Sequence, residues 1–286
     1  LHVTELGKRK SISVIGGGPA GLRFASTAVL KGHKVKLFES KKEVGGHLNI
    51  LKILPTRVAW QQGINNLLHA ATRNNVDITT NWHPNTTDLD DEIVVIATGS
   101  YWCKTGYSPY RPERDYIPLL GDPNVIDISS AILLASQDPS CLGKRVMIID
   151  ETGDYLPLGL SELLAGSGTT IELVSPRPFV GSETQRTLDM PHVLPRLKNL
   201  KVRMTSSHFV EKIEGTDVYV YDIWGGEPTV RENIDTIVIA MTRLPLDRFY
   251  LDNKENIPGM IRIGDVVAPR KIEAVIYEAE KVAREI

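Results

Sequence analysis

Short apolar runs alternate with amphipathic stretches along most of the chain. Ser11–Ile15 is an apolar run that ends on Gly16-Gly17-Gly18, as a buried strand would. Pro19–Lys31 predicts a helix, with proline near its start and Gly32 just past its end, where each is favoured. Lys34–Glu39 alternates Val35 and Leu37 with Lys34 and Lys36 and predicts a strand. These three elements make a βαβ unit of roughly thirty residues. Gln61–Asn74 reads as a helix, Val76–Asn81 as a strand, and Glu92–Ala97 as a buried strand ending at Thr98-Gly99.

The same plan recurs further on. Tyr101–Gly121 is rich in Pro, Tyr and Gly and predicts a crossover between domains. Ser129–Gln137 predicts a helix and Arg145–Asp150 a buried strand, Ser161–Gly166 lies in a helix, and Thr170–Ser175 is a strand. Val202–Ser207, Val218–Asp222 and Thr236–Ala240 are expected to complete a second α/β unit, before a last strand at Met260–Gly264 and a last helix at Ile272–Ile286. The fold expected is α/β, with two Rossmann-like three-layer domains, the second inserted in the first. The first comprises residues 1–107 and 246–286, the second 108–245.

Composition narrows the function classes. The 286 residues carry 33 basic and 35 acidic side chains for a net charge of −2, which argues against nucleic acid or an anionic membrane as the main partner. The two cysteines, Cys103 and Cys141, form no Cys-x-x-Cys pair, so a disulfide framework, an iron–sulfur cluster ligated by this chain alone and a thioredoxin-reductase-type dithiol centre are not expected. No apolar run is long enough to span a membrane and no signal peptide is apparent, so a cytoplasmic location is expected. The first residue is Leu rather than Met, as in a processed chain or a piece of a longer one.

Gly16-x-Gly18-x-x-Gly21 carries the clearest chemistry. The first glycine permits the tight turn out of the strand, the second lets backbone approach a pyrophosphate, and the third lets helix and strand pack closely. The helix amino terminus at Ala20 and Gly21 then faces the phosphates. Glu39 follows at about the spacing of twenty residues that places a carboxylate on ribose hydroxyls. Gly45-Gly46-His47-Leu48-Asn49 suits a loop passing over a bound ligand, although His47 alone reads as an ordinary loop histidine. Ile96-Ala97-Thr98-Gly99 and Ile263-Gly264-Asp265 each end a strand on the side where a doubly wound sheet binds ligands. Asp265 either accepts from a ribose or ribityl hydroxyl or caps a turn.

The second βαβ unit lacks this equipment. With Ile149 laid on Ile15, Asp150, Thr152 and Tyr155 stand at the three glycine positions, and only Gly153 is small. Asp150, Glu151 and Asp154 crowd the place of a pyrophosphate. One carboxylate about 5 Å from a phosphate, at an effective dielectric of ~20, costs roughly 3 kcal/mol. Tyr155 is expected to hold the helix away from the strand. Arg177 follows the Thr170–Ser175 strand where an acid would bind ribose, and it could instead favour a 2′-phosphate.

Val14-Ile-Gly-Gly-Gly-Pro-Ala-Gly21, Gly45-Gly-His-Leu-Asn49, Tyr221-Asp-Ile-Trp-Gly225 and Ile263-Gly-Asp-Val-Val-Ala-Pro-Arg-Lys-Ile272 together resemble the C-terminal half of the trimethylamine dehydrogenase and 2,4-dienoyl-CoA reductase (NADH:flavin oxidoreductase) family, over nearly the whole chain. The resemblance implies a glutathione-reductase-like FAD/NAD(P)-binding fold. It also implies partnership with a barrel that carries FMN and a [4Fe-4S] segment, as domain or subunit, and with an electron-transfer protein. In the reductase branch the first site holds FAD and receives hydride from NADPH; in the dehydrogenase branch it holds ADP without a redox task. The Asp150–Tyr155 pattern is similar to the dehydrogenase branch, which puts NAD(P)H binding in doubt. The expected seat is Gly16, Gly18, Pro19, Ala20, Gly21, Glu39, Ser40, Gly46, His47, Leu48, Ala97, Thr98, Gly99, Gly264, Asp265 and Ile272. Glu273, in the first turn of the last helix, opposes a reduced flavin if it faces one and says nothing if it caps its own helix. The leading expectation is an oxidoreductase module, catalytically incomplete alone, that binds FAD and relays electrons. A structural ADP-binding domain and a free-standing NAD(P)H-dependent flavin reductase are the alternatives. No residue is assigned a proton-transfer role, and no metal site is expected.

Overall fold

The structure, a computed structural model, describes residues 8–83, 89, 91–114, 117 and 124–286. The first seven residues and residues 115, 116 and 118–121 of the expected Tyr101–Gly121 crossover lie outside the described residues.

In chain order the first elements are β1 (Ser11–Ile15), α1 (Pro19–Leu30), β2 (Lys34–Phe38), α2 (Leu48–Leu51), α3 (Trp60–Arg73), β3 (Asp77–Thr79) and β4 (Ile93–Ile96). There follow β5 (Ser100–Trp102), β6 (Val125–Asp127), α4 (Ile128–Gln137), β7 (Arg145–Asp150), α5 (Tyr155–Gly166), β8 (Thr170–Val174), α6 (Met190–Asn199) and β9 (Arg203–Thr205). The remainder is β10 (His208–Glu214), β11 (Asp217–Asp222), β12 (Thr229–Arg231), β13 (Thr236–Ala240), β14 (Arg243–Pro245), α7 (Arg248–Asn253), β15 (Met260–Arg262) and α8 (Ile272–Glu285). The chain forms two compact units. One comprises Leu1–Lys52, Ala59–Tyr101 and Arg243–Ile286, the other Ile53–Val58 and Trp102–Thr242.

The first unit is built on a five-stranded sheet in the order β15-β4-β1-β2-β3, parallel at every described pairing. Its central strands are buried through Ile12, Val14, Val94, Val95 and Ile96, as strands covered on both faces must be. α1 starts at Pro19 and stops where Gly32, at φ +98°, turns the chain back with its N–H on the Val29 carbonyl. Phe24, Ala25 and Ala28 of α1 share a core with Val275, Ala279 and Ala283 of α8, where small residues let the two helices come close.

The second unit repeats the plan with the order β6-β13-β7-β8-β9, again parallel. Both units thus carry the doubly wound parallel sheet expected from the two βαβ patterns. One expectation needs correction. Val218–Asp222 does not extend the parallel unit; as β11 it is the middle strand of a separate antiparallel sheet β10-β11-β12. Gly215 at φ +62° makes the β10–β11 turn, and Phe209, Val210, Val218 and Val220 pack onto Met147, Ile149, Ile237 and Ile239 of the parallel sheet. α6 was not among the expected elements. Pro191 lies in its first turn, where no N–H is needed, and Val193 and Leu197 bury the i, i+4 stripe that holds it.

Among the described residues no helix is long and apolar enough to cross a membrane. Phe24 is wholly buried in the α1–α8 core. Phe24→Ala is expected to lower the unfolding free energy by about 3–5 kcal/mol, measured by urea denaturation.

Candidate functional site

The first sheet reverses its strand order between β1 and β4, and the first glycine loop leaves the carboxyl end of β1 there. Gly16 has φ +113°, and a Cβ on it would run into the Ala97 carbonyl that follows β4. A Cβ on Gly21 would strike the Gly16 carbonyl oxygen. These two glycines are demanded by the fold. Gly18 is different: its φ is −72°, and the nearest atom to a built Cβ is the Gly46 Cα at 4.0 Å. Gly18 is the N-cap of α1 and no side chain caps that end. The amino terminus formed by Gly18, Pro19, Ala20 and Gly21 therefore keeps the open donors and the bare approach that a phosphate uses.

Glu39, just past β2, is buried and bonded to this loop. Its Oε2 accepts the Gly17 N–H at 2.8 Å, while Oε1 accepts the Lys41 N–H at 2.8 Å and the Ser40 hydroxyl at 3.2 Å. The loop before α2 is tied in by Gly45 N–H to the Gly17 carbonyl, 2.8 Å. Gly46, at φ +56°, passes its backbone beside Gly18, where a Cβ would meet the Gly18 Cα at 3.2 Å. His47 and Leu48 then open α2. Ala97, Thr98 and Gly99 follow β4, and the Thr98 hydroxyl donates to the Leu246 carbonyl at 2.7 Å. Gly264 and Asp265 follow β15, and Ile272 is the first residue of α8. All the sequence-derived seat residues thus lie in the first unit, with Gly16–Gly21, Glu39, Ser40 and Gly46 knit together around one helix end.

Asp265 has partners that the sequence did not announce. Its Oδ2 accepts from Arg243 at 2.7 Å and from Ser100 at 3.2 Å, and its Oδ1 accepts the Arg270 N–H at 2.9 Å. It therefore caps the turn that leads from β15 to α8. Arg243 also reaches the Arg270 carbonyl at 3.2 Å and lies 3.3 Å from His47 Nδ1. That contact makes Nδ1 the acceptor. Burial first, and then the Arg243 guanidinium, hold the His47 imidazole below its ordinary pKa, with Asp265 pulling the other way. Arg270 pairs with Glu278 at 2.6 Å, and the same carboxylate accepts the Gly264 N–H at 2.6 Å. Arg243 carries no motif and was missed; Arg270 stands in the Ala-Pro-Arg segment, where its charge was the available signal. Glu273 is exposed and lines an open groove with Arg23, Tyr277 and Glu280, and no side chain caps α8.

The second loop, between β7 and α5, is closed from within. Asp150 is fully buried, and its Oδ1 accepts the Gly153 N–H and the Thr152 hydroxyl, each at 2.8 Å. A carboxylate of the chain itself thus holds two of the loop's own donors. Gly153, at φ +67°, has the Ser182 hydroxyl 2.6 Å and Arg177 Cδ 2.9 Å from a built Cβ. Arg177 donates from Nε to the Glu151 carbonyl at 2.8 Å, with Nη1 3.6 Å from Glu183. The Tyr155 ring is turned to the Ile53–Val58 segment, where its hydroxyl donates to the Pro55 carbonyl at 2.7 Å and the Arg57 guanidinium lies 3.6 Å from the ring centre. Burial is the main cause that raises Asp150 to about 6 and Glu151 to about 7.

Residues 14–73 match the NAD(P)-binding Rossmann-like domain, and residues 133–235 match the OYE-like second alpha/beta domain. Dimethylamine dehydrogenase of Hyphomicrobium sp. (strain x) is 25% identical over 100% of this chain and 43% of its own length. The probable N-methylproline demethylase of Rhizobium meliloti (strain 1021) is 25% identical over 97% of this chain and 43% of its own. The chain is homologous to the C-terminal FAD/NAD-binding part of the trimethylamine dehydrogenase and dimethylamine dehydrogenase family. Histamine dehydrogenase from Rhizobium sp. 4-9 shares the fold, with a TM-score of 0.90 at 24% identity, over 99% of this chain and 45% of that one. The chain spans less than half the length of these relatives, which are oxidoreductases.

Two predictions follow from the loops. Gly18→Ala is expected to change the unfolding free energy by less than about 1 kcal/mol, whereas Gly21→Ala costs more than about 3 kcal/mol, both by chemical denaturation. Asp150 and Glu151 hold protons more tightly folded than unfolded, so their stabilising contribution is complete below about pH 4 and is lost as pH rises through 6 to 7. From pH 5 to 8 the wild type is expected to lose on the order of 2 kcal/mol more stability than Glu151→Gln, read from parallel melting curves.

Proposed function

We propose that the chain is the nucleotide-binding module of a larger flavoprotein oxidoreductase, and that the loop Gly16–Gly21 seats an adenine nucleotide. The observation that carries this reading is the uncapped amino terminus of α1, opened by Gly18 and flanked by the buried Glu39 carboxylate. In the leading form the nucleotide is FAD. The backbone of Gly16–Gly21 faces its pyrophosphate and Glu39 its adenosine ribose, with His47 and Asp265 further along the seat. Bound FAD would supply electron relay. The first unit is then the cofactor domain and the second an inserted NAD(P)-binding-like domain whose own loop is closed by Asp150. The substrate chemistry belongs to a partner that this chain does not include: an FMN/[4Fe-4S] barrel domain or subunit, with an electron-transfer protein as a further partner. The greater length of the relatives supports that reading.

One observation favours a second form in which ADP is a structural ligand. The second loop carries Asp150, Thr152 and Tyr155 at its three glycine positions, which leaves a flavin on the first loop without an evident NAD(P)H donor within this chain. The closed second loop speaks against a free-standing NAD(P)H-dependent flavin reductase.

Mass spectrometry of the ligand released on denaturation tests the proposal. An adenine nucleotide near one equivalent per chain is expected, FAD with visible flavin absorbance or ADP without it, and Gly18→Val is expected to abolish it. A folded wild-type protein that retains neither ligand after incubation with both would sink the proposal. Rapid bleaching of bound flavin by NADPH would overturn the exclusion of the reductase.

A further inference from the structure

The second sheet reverses its strand order between β7 and β13, and its carboxyl edge opens there into a cleft of about 460 Å³ lined by Pro109, Tyr110, Glu151, Thr152, Arg177 and Thr242. Parallel α/β sheets bind ligands at such reversal points. Three observations define what this cleft accepts. Glu151 is only 6% exposed; its Oε1 accepts from the Ser108 hydroxyl at 3.2 Å, and its Oε2 has no hydrogen-bond partner. A buried acceptor in that condition calls for a donor. The local charge is also unbalanced. Asp150 and Asp154 neighbour Glu151, while the cation in the lining, Arg177, donates to a backbone carbonyl and shares its charge with Glu183. Finally, Asp150 already holds the Gly153 N–H and the Thr152 hydroxyl, so these two donors are not free for an anion.

We propose that this cleft binds a small organic cation bearing N–H donors, an ammonium or amidinium, with Glu151 as its counter-ion. The ligand is not a metal ion, since among the described residues no group of three His, Cys, Asp or Glu side chains is placed to hold one. Pro109 and Tyr110 give the cleft an apolar wall for the organic part, and an aromatic side chain there adds attraction for a cation. The groups that act on the charge of Glu151 are Asp150 at the end of β7, Arg177 after β8, the Ser108 hydroxyl and the backbone of Thr242. Burial raises Glu151 to about 7; Ser108, Arg177 and a hydrogen bond from the Thr242 backbone oppose the rise, and Asp150 adds to it. The cation binds the ionised carboxylate, so its affinity climbs about tenfold from pH 6 to pH 8.

Isothermal titration of the full chain with benzamidinium chloride tests this, with benzoate and benzyl alcohol as charge-reversed and neutral analogues. Benzamidinium is expected to bind, with the pH dependence just given, and to bind Glu151→Gln at least about tenfold more weakly. That variant loses a buried charge and is expected to melt no lower than wild type at pH 8. Tyr110→Ala, at an exposed position, is expected to weaken binding without affecting the fold. Absence of binding at millimolar benzamidinium, unchanged affinity in Glu151→Gln, or a preference for benzoate overturns the proposal. It stands apart from the adenine-nucleotide reading. Gly18→Val is expected to lose the nucleotide and keep benzamidinium, so the two fail separately.

Discussion

α1 meets β1 across a backbone contact that leaves no room for a side chain. The missing Cβ of Gly21 lets the helix settle on the Gly16 carbonyl, and the missing Cβ of Gly16 lets the turn settle on the Ala97 carbonyl. The rest of the first unit follows from these two approaches. They bring the amino terminus of α1 to the reversal point between β1 and β4, within reach of Glu39 at the end of β2. They also let the Gly45–Gly46 backbone cross beside Gly18. A helix end left without a side-chain cap keeps its donors for something that is not protein.

The second unit keeps the scaffold and changes the chemistry. β7, α5 and β8 stand in the same order and the same parallel register as β1, α1 and β2. Where the first loop gives its Gly17 N–H to Glu39 of the next strand, the second gives its Gly153 N–H to Asp150 within the loop itself. The carboxylates differ too. Glu39 accepts from three donors, whereas burial raises Asp150 to about 6 and Glu151 to about 7.

Much of this was legible in the sequence because glycine spacing and strand alternation are local signals. Gly16, Gly18, Gly21 and Glu39 declare themselves at fixed intervals, and the loss of that pattern at Asp150–Tyr155 is equally plain. The antiparallel β10-β11-β12 sheet was misjudged because β11 has a strand's alternation, and alternation does not tell which neighbour a strand will choose. α6 was missed; Pro191 fits its first turn, whereas Pro195 stands inside it, and the Val193–Leu197 stripe is too short a signal to outweigh that. Arg243 was illegible for a different reason. Its roles toward His47, Asp265 and Arg270 arise from contacts distant in sequence, and nothing around Thr242-Arg243-Leu244 marks it out.

Asp150 is in effect a plug moulded into its own socket. Replacing Asp150 by a residue with no acceptor strands the Gly153 N–H and the Thr152 hydroxyl until an outside anion arrives. The loop is held shut by the integrity of the fold as well as by charge. A phosphate seat at this loop therefore needs another acceptor for those two donors before any ligand could take them up.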